Sequence, residues 1–190
     1  MEQSGIIEIR WHGRGGQGAV TSAELLAKAA ISEGKYAQAF PAFGPERRGA
    51  PVVAFNRISG TTAIRVRAGI TEPNVVVVLD ETVLRVVNVT EGLTKGGTVV
   101  VNSKKAAADL RAGLGDHWRL ATIDATRIAR ETLGVPIVNT TMLGALIKAC
   151  KVVGTDSLVE PLKERFGRLA ERNINAMKRA VEETKVEDLR

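Results

Sequence analysis

Ile6-Ile7-Glu8-Ile9-Arg10-Trp11-His12-Gly13-Arg14-Gly15-Gly16-Gln17-Gly18-Ala19 is the stretch on which the fold reading turns. Ile6 to His12 alternates apolar and polar residues and predicts a strand. Gly13 to Gly18 is a glycine-rich turn that satisfies G-x-G-x-x-G. Ala19 to Glu33 then carries Ala23, Leu26, Ala27 and Ala30 at helical spacing, with Gly34 at the stop. Strand, glycine turn and helix in that order open an α/β fold. Glycine lets the backbone turn sharply and approach a ligand, and the first amides of the helix favour an anion. Thr21 and Ser22 add hydroxyls, and Arg14 adds a charge that suits phosphate.

The same alternation continues outward. Tyr36 to Phe40 predicts a second strand. Val52 to Ile58 and Thr62 to Arg67 predict a hairpin around Ser59-Gly60. Val75 to Leu79 is an uninterrupted apolar run of the kind buried on both faces of a sheet. Further strands are expected over 97–102 and 118–123. Helices are expected over 81–89, 104–111, 125–133, 140–153 and 158–183, the last broken near Gly167. The pattern predicts a three-layer α/β/α sandwich, Rossmann-like, with a mixed and mainly parallel sheet. At 190 residues, 1–190 reads as one domain. A chain of this size buries about 70% of its unfolded surface and needs no disulfide or metal staple.

Composition narrows the function. The net charge of +6 is spread along the chain without a run of five like charges, and aromatic residues are 4%. That pattern describes a solvated surface, and nucleic acid is not an expected partner. A membrane span needs ~20 consecutive apolar residues, and none is expected. The start of the chain shows no basic-then-apolar leader, which reads as cytoplasmic. Cys150 is the single cysteine. It cannot form an internal disulfide or an iron–sulfur cluster, so this chain is not itself a ferredoxin-type electron carrier. Cys150 sits in an apolar helical stretch and reads as inert.

Several residues compete for a role. A dinucleotide site would require an acid at the end of the second strand, and the sequence has Phe40-Pro41 there. The glycines then either pack helix against strand, or bind a phosphate, a carboxylate or another subunit. The loop from Pro41 to Pro51 holds three prolines, two glycines and the adjacent Arg47 and Arg48. In a parallel sheet it lies beside the glycine turn. Asp80-Glu81 reads first as a helix start, His12 as a hydrogen-bonded strand end, and Asn139 or Thr140 as a helix cap. No nucleophile elbow and no metal-ligand spacing occur, so neither a catalytic residue nor a metal site is assigned. The ligand- or subunit-contacting set is Gly13, Arg14, Gly15, Gly16, Gln17, Gly18, Thr21, Glu46, Arg47, Arg48 and Gly49.

Taken in order, Ile9 to Gly18, Gln38-Ala39-Phe40-Pro41, Gly44 to Pro51, Phe55-Asn56-Arg57-Ile58, Val78-Leu79-Asp80-Glu81 and Asn139 to Ala145 resemble the gamma subunits of 2-oxoacid:ferredoxin oxidoreductases. The likeness is strongest to the gamma subunit of pyruvate:ferredoxin oxidoreductase, the pyruvate synthase type. The resemblance implies interconversion of pyruvate and coenzyme A (CoA) with acetyl-CoA and carbon dioxide, electrons passing to ferredoxin. It implies alpha and beta subunits holding thiamine diphosphate and Mg, and a delta subunit holding 4Fe-4S clusters. It leaves this chain with no cofactor of its own, and with a role in assembly and in shaping the path of substrate and CoA. A stand-alone dinucleotide- or CoA-binding protein is the alternative.

Overall fold

The computed structural model describes residues 5–42 and 49–188. One sheet takes all seven strands: β1 (Ile7–Arg14), β2 (Tyr36–Pro41), β3 (Pro51–Ser59), β4 (Val75–Val78), β5 (Thr98–Asn102), β6 (Arg119–Ile123) and β7 (Lys185–Glu187). Their spatial order is β2-β3-β1-β4-β5-β6-β7. β1, β4, β5 and β6 run parallel, while β3 is antiparallel to both of its neighbours and β7 to β6. The expected mixed sheet is present, with three parallel and three antiparallel strand pairs.

The helices are α1 (Ala19–Ser32), α2 (Ala107–Leu114), α3 (Ala125–Leu133), α4 (Asn139–Cys150), α5 (Val159–Phe166) and α6 (Ala170–Glu183). From β1 the chain crosses leftward through α1, and from β4 it steps rightward through a 3-10 helix (Glu81–Arg85) and then α2. Right-handed crossovers in opposite directions must lie on opposite faces. The two faces are therefore covered unequally. α1, α3, α4, α5 and α6 share one apolar core with Ile9, Trp11, Val75 and Val77. The other face carries a smaller core of Val76, Val78, Val99 and Val101 under Val83, Leu110 and Leu114.

A buried polar clamp fixes α1 to the sheet. Trp11 Nε1 donates to Asn56 Oδ1 at 2.8 Å, and Asn56 Nδ2 donates to the carbonyls of Ala23 (2.8 Å) and Gln38 (3.1 Å). Asn56 is wholly buried, and these bonds leave it with no unpaired hydrogen-bonding atom.

Four expectations need correction. Residues 62–67 form no strand, because both edges of β3 are already paired, to β1 and β2. This segment instead crosses the sheet as an irregular strap, held by Gln38 Nε2 on the Ile64 carbonyl and Arg57 on the Val66 carbonyl. The helix expected over 81–89 stops as a 3-10 turn at Arg85, ahead of β-branched Val86, Val87 and Val89. The helix expected over 104–111 begins at Ala107 and runs to Leu114. α4 starts at Asn139 with Val138 before it as the flanking residue, so neither Asn139 nor Thr140 is the cap, and it ends at left-handed Lys151. The break near Gly167 is real: φ there is +50°, and a 3-10 turn (Gly167–Leu169) separates α5 from α6. The three-residue edge strand β7 gave no sequence signal.

α4 crosses α6 at Gly144. A methyl group there would lie 2.1 Å from the Met177 carbonyl oxygen and 2.9 Å from Ala180 Cβ. Neither helix can retreat, since Met142, Leu143, Leu146 and Met177 around the crossing are all fully buried. Gly144→Ala is expected to cost about 3 kcal/mol through overpacking. Urea unfolding measures it, and an unchanged midpoint would refute the close crossing.

Candidate functional site

β1 leads leftward and β4 rightward, so the carboxyl ends of these adjacent strands form the switch point where α/β sheets bind ligands. The glycine stretch emerges there from β1, whose last two paired residues are Gly13 and Arg14, so the turn itself begins later than the sequence predicts, and Asp80 emerges from β4.

Gln17 ties the two together. Its Oε1 accepts the Arg14 N–H at 2.7 Å, and its Nε2 donates to Asp80 Oδ2 at 2.8 Å. The bare Cα of Gly13 makes room, since a Cβ there would sit 3.2 Å from Gln17 Oε1. The Gln17 N–H closes a turn on the Arg14 carbonyl (3.0 Å), and the Gly15 N–H reaches the Ala50 carbonyl (3.0 Å). Among the described residues, these bonds occupy the amides of Arg14, Gly15 and Gln17. The amides at the start of α1 carry no side-chain cap, and Gly18 at its N-cap has φ +85°. The anion-attracting end of the loop is therefore the first turn of α1.

Arg14 lies across the mouth of the loop. Its Nε donates to Thr82 Oγ1 at 2.9 Å, its Nη1 donates to the Gly49 carbonyl at 3.0 Å, and Asp80 stands 3.7 Å away. Burial alone would raise the Asp80 carboxyl. Hydrogen bonds from Thr82 and Gln17, with the Arg14 charge, outweigh it and hold the carboxyl below its ordinary range. Asp80 also accepts the Thr82 N–H at 2.8 Å, which is the helix-start role read from the sequence.

Of the expected contact residues, Gly13, Arg14, Gly15, Gly16, Gln17, Gly18, Thr21 and Gly49 stand together at this end of the sheet. Glu46, Arg47 and Arg48 lie outside the described residues. The closing end of their loop does lie beside the glycine turn, through Gly49 and Ala50. The reason differs from the expected one: β3, antiparallel to β1, begins there. Ser22 is not available to a ligand, because its hydroxyl donates to the carbonyls of Gly18 (3.1 Å) or Asn139 (3.2 Å). Asn139 also packs its side chain within 2.9–3.2 Å of where a Gly18 Cβ would be, so α4 begins against the loop.

Strand order also bears on the dinucleotide alternative. β3 lies between β2 and β1, so the end of β2 stands two strand spacings, about 10 Å, from β1. An acid there would be one strand too far for a ribose bound at the glycine loop. Phe40 at that end instead packs on Phe55 and under the Arg57 guanidinium.

Sequence reading passed over the neighbouring strand ends. Asn102 Nδ2 donates to the Leu79 carbonyl at 2.9 Å and lies 3.0 Å from Thr126 Oγ1, stitching β4, β5 and α3. Asp124 accepts the Arg127 N–H at 3.0 Å. A cleft of about 490 Å³ opens over these ends between Glu81, Lys104, Arg127 and Arg130. A larger one of about 650 Å³ lies between the 3-10 helix and α2, away from the glycine loop. Polar residues that end strands are hard to tell from ordinary caps in a sequence alone.

Cys150 is mostly buried, and burial pushes its thiol up, in keeping with an inert role. Among the described residues no group of three or more His, Cys, Asp or Glu is placed to hold a metal, and no helix is long and apolar enough to cross a membrane.

The fold is an α/β domain with a glycine loop at its switch point, and comparison with known proteins places it. A model of the pyruvate ferredoxin/flavodoxin oxidoreductase family matches residues 8–183. The common gamma subunit of the pyruvate/ketoisovalerate oxidoreductases of Thermococcus kodakarensis is 53% identical over 186 residues, 97% of this chain and 100% of that protein. Pyruvate synthase subunit PorC of Methanothermobacter thermautotrophicus is also 53% identical over 186 residues, covering 97% of this chain and 98% of its own length. The crystal structure of pyruvate oxidoreductase subunit PORC from Thermotoga maritima superposes with a TM-score of 0.86 at 38% identity, covering 96% of this chain and 99% of that one. The chain belongs to the pyruvate ferredoxin/flavodoxin oxidoreductase family, and its relatives there are gamma-type subunits.

His12 lies inside β1, two residues before its end at Arg14, so it is not the strand end that the sequence predicts. Its Nε2 accepts from Arg10 Nε at 3.0 Å, so the ring proton of the neutral form is on Nδ1, which is buried without a partner. Burial, then the Arg10 charge, push His12 down to about 4. An unfolded chain protonates this residue near pH 6.5, and the folded chain resists until about 4. Its contribution is complete above 6.5 and is lost as pH falls through that window. Asp80, Glu33 and Glu183, all held low, add their losses only below their ordinary values of 3.8 to 4.5. Between pH 7 and 5 His12 should therefore account for a fall of about 2 kcal/mol. Urea titrations of wild type and His12→Gln test this. Equal slopes would show that His12 is not the group responsible.

Proposed function

We propose that this chain is the gamma subunit of a multi-subunit 2-oxoacid:ferredoxin oxidoreductase that interconverts pyruvate and CoA with acetyl-CoA and carbon dioxide. Two electrons leave for ferredoxin in the oxidative direction. Its partners are alpha, beta and delta subunits, and its compartment is the cytoplasm. The likeness to gamma-type subunits over nearly the full length of both chains is the observation that carries this reading. Thiamine diphosphate, Mg and 4Fe-4S clusters belong to the other subunits. One cysteine cannot ligate a cluster, so no step of the reaction is routed through a metal or cofactor on this chain.

The part played by this chain is to hold one end of a phosphorylated substrate. CoA brings phosphate and diphosphate groups, and the first turn of α1 offers amides and a helix dipole to receive one. Arg14 supplies a charge-assisted hydrogen bond once its Thr82 or Gly49 contact is exchanged for phosphate oxygen. Gln17 keeps the loop in shape for that exchange. Gly13, Gly15, Gly16 and Gly18 keep side chains out of the ligand's way, and Thr21 adds a hydroxyl in the first turn. Glu46, Arg47, Arg48 and Gly49 complete the proposed contact set as ligand or subunit contacts.

Anaerobic purification of the tagged chain from its own cells, followed by CoA-dependent reduction of a viologen dye with pyruvate, tests the assignment. A brown multi-chain enzyme with that activity is expected, and a colourless single chain would refute it. In the purified complex, Arg14→Ala is expected to raise KM for CoA tenfold or more, the equivalent of about 1.5–3 kcal/mol for a charged hydrogen bond. KM for pyruvate should stay within twofold. Arg47→Ala/Arg48→Ala should raise KM for CoA or weaken assembly. Unchanged CoA kinetics and unchanged subunit composition in both variants would remove the loop from the CoA path.

A further inference from the structure

Eight large hydrophobic side chains are exposed among the described residues, and three of them, Val135, Ile137 and Leu169, meet at one place. With Leu133 and Phe166 they line an apolar pocket of about 110 Å³, room for one aliphatic or aromatic side chain. Val135, Ile137 and Leu169 are 44–48% exposed, so the fold leaves their apolar surface in water. A cluster of this kind on a polar surface marks an interaction site.

The rim is positively charged. Arg172 lines the pocket, and Arg165 and Arg168 are exposed immediately before Phe166 and Leu169. Across 165–172 three arginines stand against one carboxylate, Glu171. Among the described residues none of the three arginines has a salt bridge, although Lys28 and Lys163 nearby are both paired. The patch also adjoins the glycine loop. Asn139 lines the pocket, and its side chain packs at Gly18. Beneath it the Thr140 hydroxyl of α4 donates to Asn173 Oδ1 of α6 at 3.0 Å, and the Asn173 amide donates to the Leu169 carbonyl at the start of α6 at 2.9 Å.

We infer that this patch is the docking site for another subunit of the same oxidoreductase, which inserts one apolar side chain into the pocket and sets carboxylates against Arg165, Arg168 and Arg172. The inference rests on the multi-subunit reading above. A second copy of this chain is the poorer occupant: a two-fold contact would set each patch against itself and bring the unpaired arginines of both copies together. A partner seated here stands beside Gly18, so docking also walls the glycine loop.

The test uses the complex purified anaerobically through a tag on this chain. Ile137→Asp and Leu169→Asp place a charge in the patch, at positions exposed enough to leave the fold intact. Arg168→Glu/Arg172→Glu reverses the rim without touching the pocket's apolar lining. Val86→Asp, at the most exposed large hydrophobic position among the described residues and outside the pocket, is the control. The expected result is at least a tenfold drop in co-purifying subunits, identified by mass spectrometry, for the three patch variants, with the control at wild-type stoichiometry. Circular dichroism of the eluted chains checks the fold, and the rim variant stands if an apolar substitution fails to fold. Wild-type subunit composition in the patch variants overturns the docking site while leaving the multi-subunit reading intact. A wild-type chain that elutes without partners overturns both. Loss of self-association with partner subunits retained assigns the patch to a second copy and overturns the proposal.

Discussion

The bridge that Gln17 makes between the end of β1 and the end of β4 is the constraint on which the site depends. One side-chain amide accepts the Arg14 N–H and donates to Asp80. A glycine loop without it would be a floppy connector, since each glycine adds backbone freedom that folding must remove. With it, the loop closes on itself. The Gln17 N–H turns back to Arg14, and Gly15 is pinned to Ala50. The direction of α1, and so of its dipole, is then fixed against both halves of the sheet.

This ordering has a chemical consequence. In a nucleotide-binding loop the amides of the turn itself wrap the diphosphate. Here the amides of Arg14, Gly15 and Gln17 are already satisfied, and the positive end of α1 and the Arg14 guanidinium remain. Under the proposed function, such a loop would hold an anion at one point rather than encircle it. That suits a subunit that steadies one end of a long substrate whose reacting end lies elsewhere. The displacement of β2 by β3 agrees, because it removes the strand end that would hold a ribose.

The parts of the fold readable from the sequence are those whose periodicity is local. β1, α1 and the fully buried β4 run declared themselves through alternation, small-residue spacing and an unbroken valine block. The break at Gly167 was legible because a glycine in a long charged helix has few other uses. The parts that stayed hidden depend on distant partners. Residues 62–67 have strand composition, yet both edges of β3 were taken. Val86 to Val89 fall where a helix could continue, yet β-branching stops it. At the site, the glycines and Arg14 were visible as types, but the bonding of Gln17 to Asp80 joins positions 63 apart in sequence and belongs to no local motif. The buried, half-satisfied His12 was likewise beyond reach, because its environment is made by β3, β4 and Arg10, whose guanidinium also donates to the Val89 and Glu91 carbonyls.

Unequal covering of the two sheet faces connects these observations to assembly. Five helices on one face supply a core large enough to stabilise the chain, centred on Ile9, Trp11, Val77, Leu143 and Met177. The opposite face has one short helix and a 3-10 turn, and a strap lies over β2 and β3. Stability therefore resides in the helical layer, while the carboxyl edge carries the glycine loop, Arg14 and Asp80. The apolar pocket beside α4 lies where that stable layer meets the carboxyl edge. A partner docking there would rest on rigid helices and would not have to order the glycine loop, because Gln17 has already done so.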